Sequence, residues 1–592
     1  MLTSEGIEVI VHATHEAAYK IGGIGAVLDG LLSATPYLKN VGRSVLVGPF
    51  DSRDAVGIER LHAPSNGLSL HYSSADGVSP GDALSQRLRA IEAEYGVRIL
   101  YGTRRFGQAQ HEVILVDPNQ AGTERVNNLK YGLWQRYGLQ SDRYESNWEY
   151  DYYIRAAEPQ YLALEAVLGP DLQRQRLVMM SHEFMGVPLC LVAEMRRPGA
   201  FCRVYYAHET PPVRPIVESH PGHDTMFYNA MRLAQRDGLS LGRVFGDQSG
   251  FFKAALLDLA ADFQAVFAVG DLVVEELRFL GPRFANKAVD LVYNGIPAPA
   301  RSFDEKLRSR RRMQTYARNL LGWTPDYIFT HVARLVTSKG LWRDLRLLEH
   351  LDDQLARRGA TGVLFVLASA LGSGRRAEDI ARMETEYGWP LEHREGPPDL
   401  VGQEVPFYEA VTAFNKQAKA IRIVFVNQFG WSRQACGQRM PEDMTFADIR
   451  VGSDLEFGQS IYEPFGIAQF EPLPYGALCV VSSACGCVGF AQRSGADASS
   501  GVIVADYISL PPNLKVQTWS EAVQIGQDTR DLVERFRARE AAEAVISHLP
   551  ADDAERGQQM RRGYELARRM TWDVVVSDYM LPALARALHA GS

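Results

Sequence analysis

The stretch Glu8-Val9-Ile10-Val11-His12 runs on to Lys20-Ile21-Gly22-Gly23-Ile24-Gly25 and then to apolar positions at Val27, Leu28 and Leu31. A compact apolar run of strand length leads into a glycine loop, and the loop opens a helical pattern. Glycines at that turn let backbone amides approach an anion, the helix N-terminus adds its dipole, and Lys20 adds a mobile positive charge. From these residues alone, a plain tight turn and an anion site are equally good readings.

Working outward, the same theme recurs. Ser44–Val47, Val113–Val116, Leu177–Met180 and Arg203–Tyr206 are buried-strand runs in the first half; Phe329–Val332, Val363–Leu367, Arg422–Val426 and Ala477–Val481 repeat them in the second. Alternation with helical patterns predicts α/β architecture, with parallel sheets covered by helices on both faces. Asn294-Gly295-Ile296-Pro297-Ala298-Pro299 is the best boundary, and the basic stretch from Arg301 to Arg312 reads as solvated. The reading is two Rossmann-like, doubly wound domains, 1–297 and 298–569, with ligands in a crevice outside the carboxyl ends of their strands. A terminal helix over 570–592, capped by Thr571 or Asp573, is expected to cross back onto the first domain.

Bulk properties narrow the class. The 592 residues need more than one core, and 46% hydrophobic with 23% charged residues is a globular composition. With 63 Lys+Arg against 71 Asp+Glu, the net charge of -8 gives no general attraction to nucleic acid. Met1 to Val11 shows no basic leader ahead of a long apolar stretch, and no segment reaches the roughly 18 apolar residues of a membrane span, so a cytoplasmic location is expected. Six cysteines are too sparse for a disulfide scaffold. Cys485 and Cys487 read as small packed residues. His220-Pro221-Gly222-His223-Asp224 lacks the spacing that puts two imidazoles on one helical face, so no metal site and no cofactor are assigned.

Two further stretches carry chemistry. In His331-Val332-Ala333-Arg334-Leu335-Val336-Thr337-Ser338-Lys339-Gly340 a strand ends in a loop with two cations that could neutralise a diphosphate, Arg334 as a planar fork and Lys339 as a compact charge. A solvated loop is the competing reading. In Tyr462-Glu463-Pro464-Phe465-Gly466-Ile467-Ala468-Gln469-Phe470-Glu471, Pro464 and Gly466 argue for a loop holding Glu463 and a helix beginning near Ile467. Alone, the two glutamates would more often be surface charges. Together, a Lys/Gly-Gly loop, an Arg-x4-Lys loop and a Glu-x7-Glu element stand in the order found in retaining GT-B glycosyltransferases.

The chain resembles the animal and fungal glycogen synthases in His15–Leu28, Val45–Phe50, Tyr95–Asp117, Leu133–Asp142, His182-Glu183-Phe184 with Gly186-Val187, Ala207-His208 with Arg214, and the run from Met440 to Gly466. The resemblance implies elongation of an α-1,4-glucan from a nucleoside diphosphate glucose, UDP-glucose or ADP-glucose, bound in the interdomain cleft. Lys20, Gly22, Gly23, Arg334 and Lys339 would surround the diphosphate, and Glu471 would hold the ribose. Glu463 would contact the donor sugar beside the backbone of Phe465 and Gly466. His182 would lie beside the reacting sugar, and Tyr462 near the nucleotide or acceptor. For His208 and Arg214, a structural role and substrate contact weigh equally.

Departures from the family are also legible. Phe184 and Phe465 replace its usual Trp, its long helical insertion early in the second domain is absent, and its arginine-rich sensor of glucose 6-phosphate has no counterpart beyond Arg561, Arg562 and Arg568. No activation by that sugar phosphate is expected, and homo-oligomer formation is left open. A retaining transferase with another sugar or a small acceptor, and a catalytically silent glucan- or nucleotide-binding scaffold, are the alternative readings.

Overall fold

The computed structural model describes residues 6–173 and 176–590. The chain forms two compact units, one from Met1–Val213, Leu239–Gly295 and Trp572–Ser592, the other from Arg214–Gly238 and Ile296–Thr571. Among the described residues, no helix is long and apolar enough to cross a membrane.

The first unit is built on strands β1 (Ile7–Ala13), β2 (Val41–Pro49), β3 (Leu68–Ser73), β4 (Arg98–Phe106), β5 (Ala109–Asp117), β6 (Leu177–His182), β7 (Cys202–Ala207), β8 (Ala265–Ala268) and β9 (Val289–Leu291). Their order is β3-β4-β5-β2-β1-β6-β7-β8-β9. From β5 to β9 the pairings are parallel, and runs such as Val9–Val11 and Leu177–Met180 are buried because helices cover both faces. The far edge corrects the expectation of a purely parallel sheet: β3 and β4 pair antiparallel, as do β4 and β5. Alternating strands such as Leu68–Ser73, with one face less buried, carry no continuous apolar run to announce them.

The second unit holds β10 (Tyr327–Arg334), β11 (Gly362–Ser369), β12 (Ile421–Val426), β13 (Leu455–Gly458), β14 (Leu478–Ser482) and β15 (Val502–Ala505), all parallel, in the order β12-β11-β10-β13-β14-β15. Side-chain alternation sorts β11 into two cores. Leu364, Val366 and Ala368 pack with Leu347, Leu351 and Val545, whereas Val363, Phe365 and Leu367 pack with Met313, Tyr316 and Met383. Both faces are therefore covered, and the sheet is doubly wound.

The reading of Arg301–Arg312 as solvated is corrected. The helix Phe303–Leu321 turns Lys306 and Arg310 inward, to 1% and 9% exposure. Lys306 donates to the carbonyl of Ser453 at 2.7 Å, and Arg310 meets Asp454 at 3.2 Å. Long basic side chains bury their stems when such acceptors wait at the end.

Two chain segments serve the unit remote from them in sequence. In the second unit, Asp224 of the helix His223–Arg236 grips Arg343 in a fork at 2.6 and 3.1 Å, and Glu534 holds the same guanidinium at 2.9 Å. All three side chains are fully buried. In the first unit, Trp572 lies so close to Gly30 and Gly295 that a Cβ at either position would overlap it, and Asp573 accepts from the Thr35 amide at 2.9 Å. Beyond Trp572 the chain continues helically through Val575–Met580 and Leu581–Ala590.

Candidate functional site

In the second unit the strand order reverses between β10 and β13, and the residues of interest leave those two strands at their carboxyl ends. Open α/β sheets bind ligands at that point. Arg334 ends β10 and is exposed. The following turn, Thr337–Lys339, is tied to the loop after β13 by the Ile461 amide, which donates to the Ser338 carbonyl at 2.8 Å. Lys339 hydrogen-bonds Glu463 directly, and Gln469 reaches the same carboxylate at 3.3 Å. Burial pushes the Glu463 pKa up, but Lys339, the Arg214 charge and Gln469 more than cancel that, so the carboxyl sits below its usual value and stays ionised.

The Glu463 loop is fastened to the start of the helix Cys487–Arg493. The Gly486 amide donates to the Glu463 carbonyl at 2.9 Å and the Cys487 amide to the Phe465 carbonyl at 2.8 Å. Gly466 takes φ 95°, where a side chain would be strained and would meet Glu463 Cγ at 2.9 Å. Tyr462 is buried, with the Arg214 guanidinium 4.9 Å from its ring. Glu471 pairs with Arg450 at 2.9 Å, and Arg450 also holds Glu456 at 2.6 Å. No α-helix starts at Ile467. The chain makes 3-10 turns at Ala468–Phe470 and Leu473–Tyr475, because Pro472 and Pro474 lack the amides a helix needs and Gly476 turns left-handed at φ 80°.

In the first unit the reversal falls between β1 and β6. After β1, the amides of Ile21 and Gly22 donate to Glu16 Oε2 at 2.6 and 2.7 Å, so a buried carboxylate already occupies the first donors of the glycine loop. Lys20 pairs with Asp29 at 3.0 Å. Gly22 precedes the helix Gly23–Leu31, and the space beside Gly23 is open. At the end of β6, His182 is wholly buried, and both its ring nitrogens are engaged, by His12 at 2.9 Å and by His208 at 3.0 Å. His208 is partly exposed. Arg214 belongs to the second unit, although His208 lies in the first.

A cavity of about 620 Å³ opens at the carboxyl ends of β1, β2 and β5. Tyr19, Phe50, Trp148 and Tyr152 give it aromatic walls, and Asp51 and Arg155 are among its polar groups. Its two arginines are already neutralised, Arg53 by Asp51 and Arg155 by Asp151.

No family model matches the chain, and no curated protein does. Among solved structures, the catalytic domain of starch synthase IV from Arabidopsis thaliana, bound to ADP and acarbose, is similar over 99% of this chain and 100% of that one, with 13% identity and a TM-score of 0.50. The chain has a GT-B fold. Also similar are a trehalose-6-phosphate structure from E. coli bound with UDP-2-fluoro glucose (11% identity, 98% and 99% coverage, TM-score 0.49) and sucrose-phosphate synthase from Thermosynechococcus elongatus (12%, 99% and 100%, 0.48).

Within this GT-B chain, sequence reasoning overlooked Glu16, His12 and Glu183 as shapers of the site. Only the apolar run before His12 and the H-E pair at 182–183 hinted at the latter two. Glu183 is buried at φ 62° and accepts from the amides of His208 and Glu209 and from the Tyr205 hydroxyl. A non-glycine residue held there stores strain and fixes the turn after β7. Burial, with the nearby Glu209 charge, pushes its pKa from 4.5 up to about 8. Folding therefore places a proton on Glu183, a contribution complete below pH 4.5 and lost as pH rises through about 8. Glu183→Gln, which cannot ionise, is expected to gain stability relative to the parent as pH rises across that window. Urea midpoints at acid, neutral and alkaline pH check this, and a difference independent of pH would contradict it.

Among the described residues, no group of three His, Cys, Asp or Glu side chains is placed to hold a metal ion. Cys485 and Cys487 are buried free thiols, and Asp224 is committed to Arg343.

Proposed function

We propose that this chain is a retaining glucosyltransferase that moves glucose from a nucleoside diphosphate glucose, UDP-glucose or ADP-glucose, to an α-1,4-glucan, as a glycogen synthase does. The observation that carries the reading is the cationic end of β10, where Arg334 stands free for an anion and Lys339 is linked to Glu463 at the reversal of the sheet. Lys339 has three donors and needs one for Glu463, which leaves others for a phosphate oxygen. Glu463, kept ionised by Lys339, would accept from the donor sugar's hydroxyls, and Glu471 would accept from the ribose. The resemblance adds Lys20, Gly22 and Gly23 to the diphosphate ligands; a diphosphate there would compete with Glu16 for the Gly22 amide and with Asp29 for Lys20.

In the proposed reaction, the bond from the sugar's anomeric carbon to the phosphate oxygen breaks and the acceptor hydroxyl attacks from the same face. The hydroxyl's proton passes to the departing phosphate. Negative charge grows on the diphosphate as the bond lengthens, so fixed cations stabilise the transition state more than the ground state. The aromatic cavity supports a carbohydrate acceptor without phosphate. Sugar rings offer apolar faces and hydroxyls to such walls, whereas Arg53 and Arg155 are already spent on carboxylates.

Transfer from UDP-glucose, ADP-glucose and GDP-mannose, each measured with and without glycogen, tests the proposal. Glucose incorporation into glycogen is expected, and binding without turnover of any donor would favour the scaffold reading. Because side chains and helix ends neutralise the diphosphate, transfer is expected to survive EDTA. Complete loss in chelator, restored by Mn2+ or Mg2+, would overturn that expectation.

A further inference from the structure

Five polar side chains of the first unit form an unbroken hydrogen-bonded row. Ser44 Oγ lies 2.7 Å from Tyr37 Oη, which lies 2.8 Å from His12 Nε2. His12 Nδ1 lies 2.9 Å from His182 Nε2, and His182 Nδ1 lies 3.0 Å from His208 Nε2. The row runs across β2, β1 and β6 to the turn after β7, and every member except His208 is buried. Burial holds His12 and His182 well below the usual histidine pKa, and burial with the His15 charge lowers His208 to about 3. All three rings are neutral near pH 7.

A neutral imidazole has one N–H and one lone pair, and each contact between two rings needs one of each. Fixing the proton of one ring therefore fixes the next. If Tyr37 donates to His12, the proton of His12 sits on Nδ1 and is donated to His182. That of His182 is in turn donated to His208, which then shows an N–H at Nδ1. If instead His208 carries its proton on Nε2, every bond reverses, Tyr37 donates to Ser44, and His208 shows a lone pair at Nδ1. Mixed arrangements place two protons or two lone pairs face to face in a buried contact.

We propose that Tyr37, His12 and His182 are positioning residues that set the tautomer of His208, and that the row holds two coherent proton arrangements between which a hydroxyl bound at His208 Nδ1 selects. The kinetic part rests on the transferase reading above; the tautomer coupling does not. Neither arrangement moves net charge, so a hydroxyl meets a donor or an acceptor as it needs, with no ion created in a buried region. His182 acts through its neighbours, since neither of its ring nitrogens is left for a substrate.

The test uses the full-length chain labelled with 15N-histidine, in which NMR reports each ring nitrogen as N–H or lone pair, with His182→Asn and His208→Asn for assignment. Tyr37→Phe keeps the ring and removes the hydroxyl. A buried N–H without an acceptor is worse tolerated than a bare lone pair, so His12 should keep its proton on Nδ1 and the row should lock with Nδ1–H on His208. The expected result is a tautomer shift at His182 and His208, neither of which touches the mutated group, and a smaller shift of the balance in Ser44→Ala. Turnover in Tyr37→Phe should fall roughly tenfold or more while the KM for the donor changes by less than about twofold. Changes confined to His12 in both variants would overturn the proposal. An inactive parent protein whose His208 signals still respond to Tyr37→Phe would defeat the transferase reading and leave the row intact.

Discussion

Arg334→Ala and Lys339→Ala are each expected to lower turnover at saturating donor by about a hundred- to a thousandfold, the loss of roughly 2.7–4 kcal/mol typical when one transition-state donor is removed. Donor affinity should fall less, because the charge these cations face is largest in the transition state. The two variants should also differ in one respect. Lys339 is the largest influence lowering the Glu463 pKa against burial, so its removal lets that carboxyl rise and should move the acid limb of the rate profile upward. Arg334→Ala leaves the Lys339–Glu463 pair in place and should not move it. Near-normal turnover in either variant would remove that residue from the proposed diphosphate site.

Arg343→Met should destabilise the second unit by about 3–5 kcal/mol, because it leaves Asp224 buried without its cation, whereas Glu534 keeps Arg346 at 3.0 Å and the Trp342 indole N–H at 3.0 Å. Burial already raises the Asp224 pKa even with Arg343 beside it. Without the arginine, Asp224 can bind a proton instead, so the loss should shrink at acid pH. Arg343→Lys keeps a charge but not the fork to Asp224 and should fall between the two. Chemical unfolding followed at neutral and mildly acid pH decides this. A loss below about 1 kcal/mol would mean that the surroundings solvate these carboxylates better than the packing implies.

What the sequence showed and what it hid follow from the range of the interactions. Strands such as Val363–Leu367 are buried on both faces and carry continuous apolar runs, so their positions were plain. The positions of Arg334 and Lys339 after β10, and of Glu463 in the loop after β13, were legible because all three lie close to strand ends. Lys306 and Arg310 misled, since a basic helix face looks solvated until acceptors such as Ser453 and Asp454 arrive from far along the chain. The histidine row was invisible for the same reason: His12, His182 and His208 meet only through the pairing of β1, β6 and β7. Glu16 hid in plain sight, a carboxylate closing the very loop whose glycines suggested an open cradle.

The return of Trp572 to the first unit has a consequence for biosynthesis. Gly30 and Gly295 shape a slot for an indole that the ribosome delivers only after the whole of the second unit has been made. During translation the first unit waits with that slot open, while the helix carrying Asp224 waits for Arg343. The second unit thus has a segment made early, and the first unit lacks its last segment until the second has been synthesised, so the usual order of domain-by-domain completion is reversed for the first unit. A nascent chain arrested just before Trp572 should be more open to proteases in its first unit than the released protein.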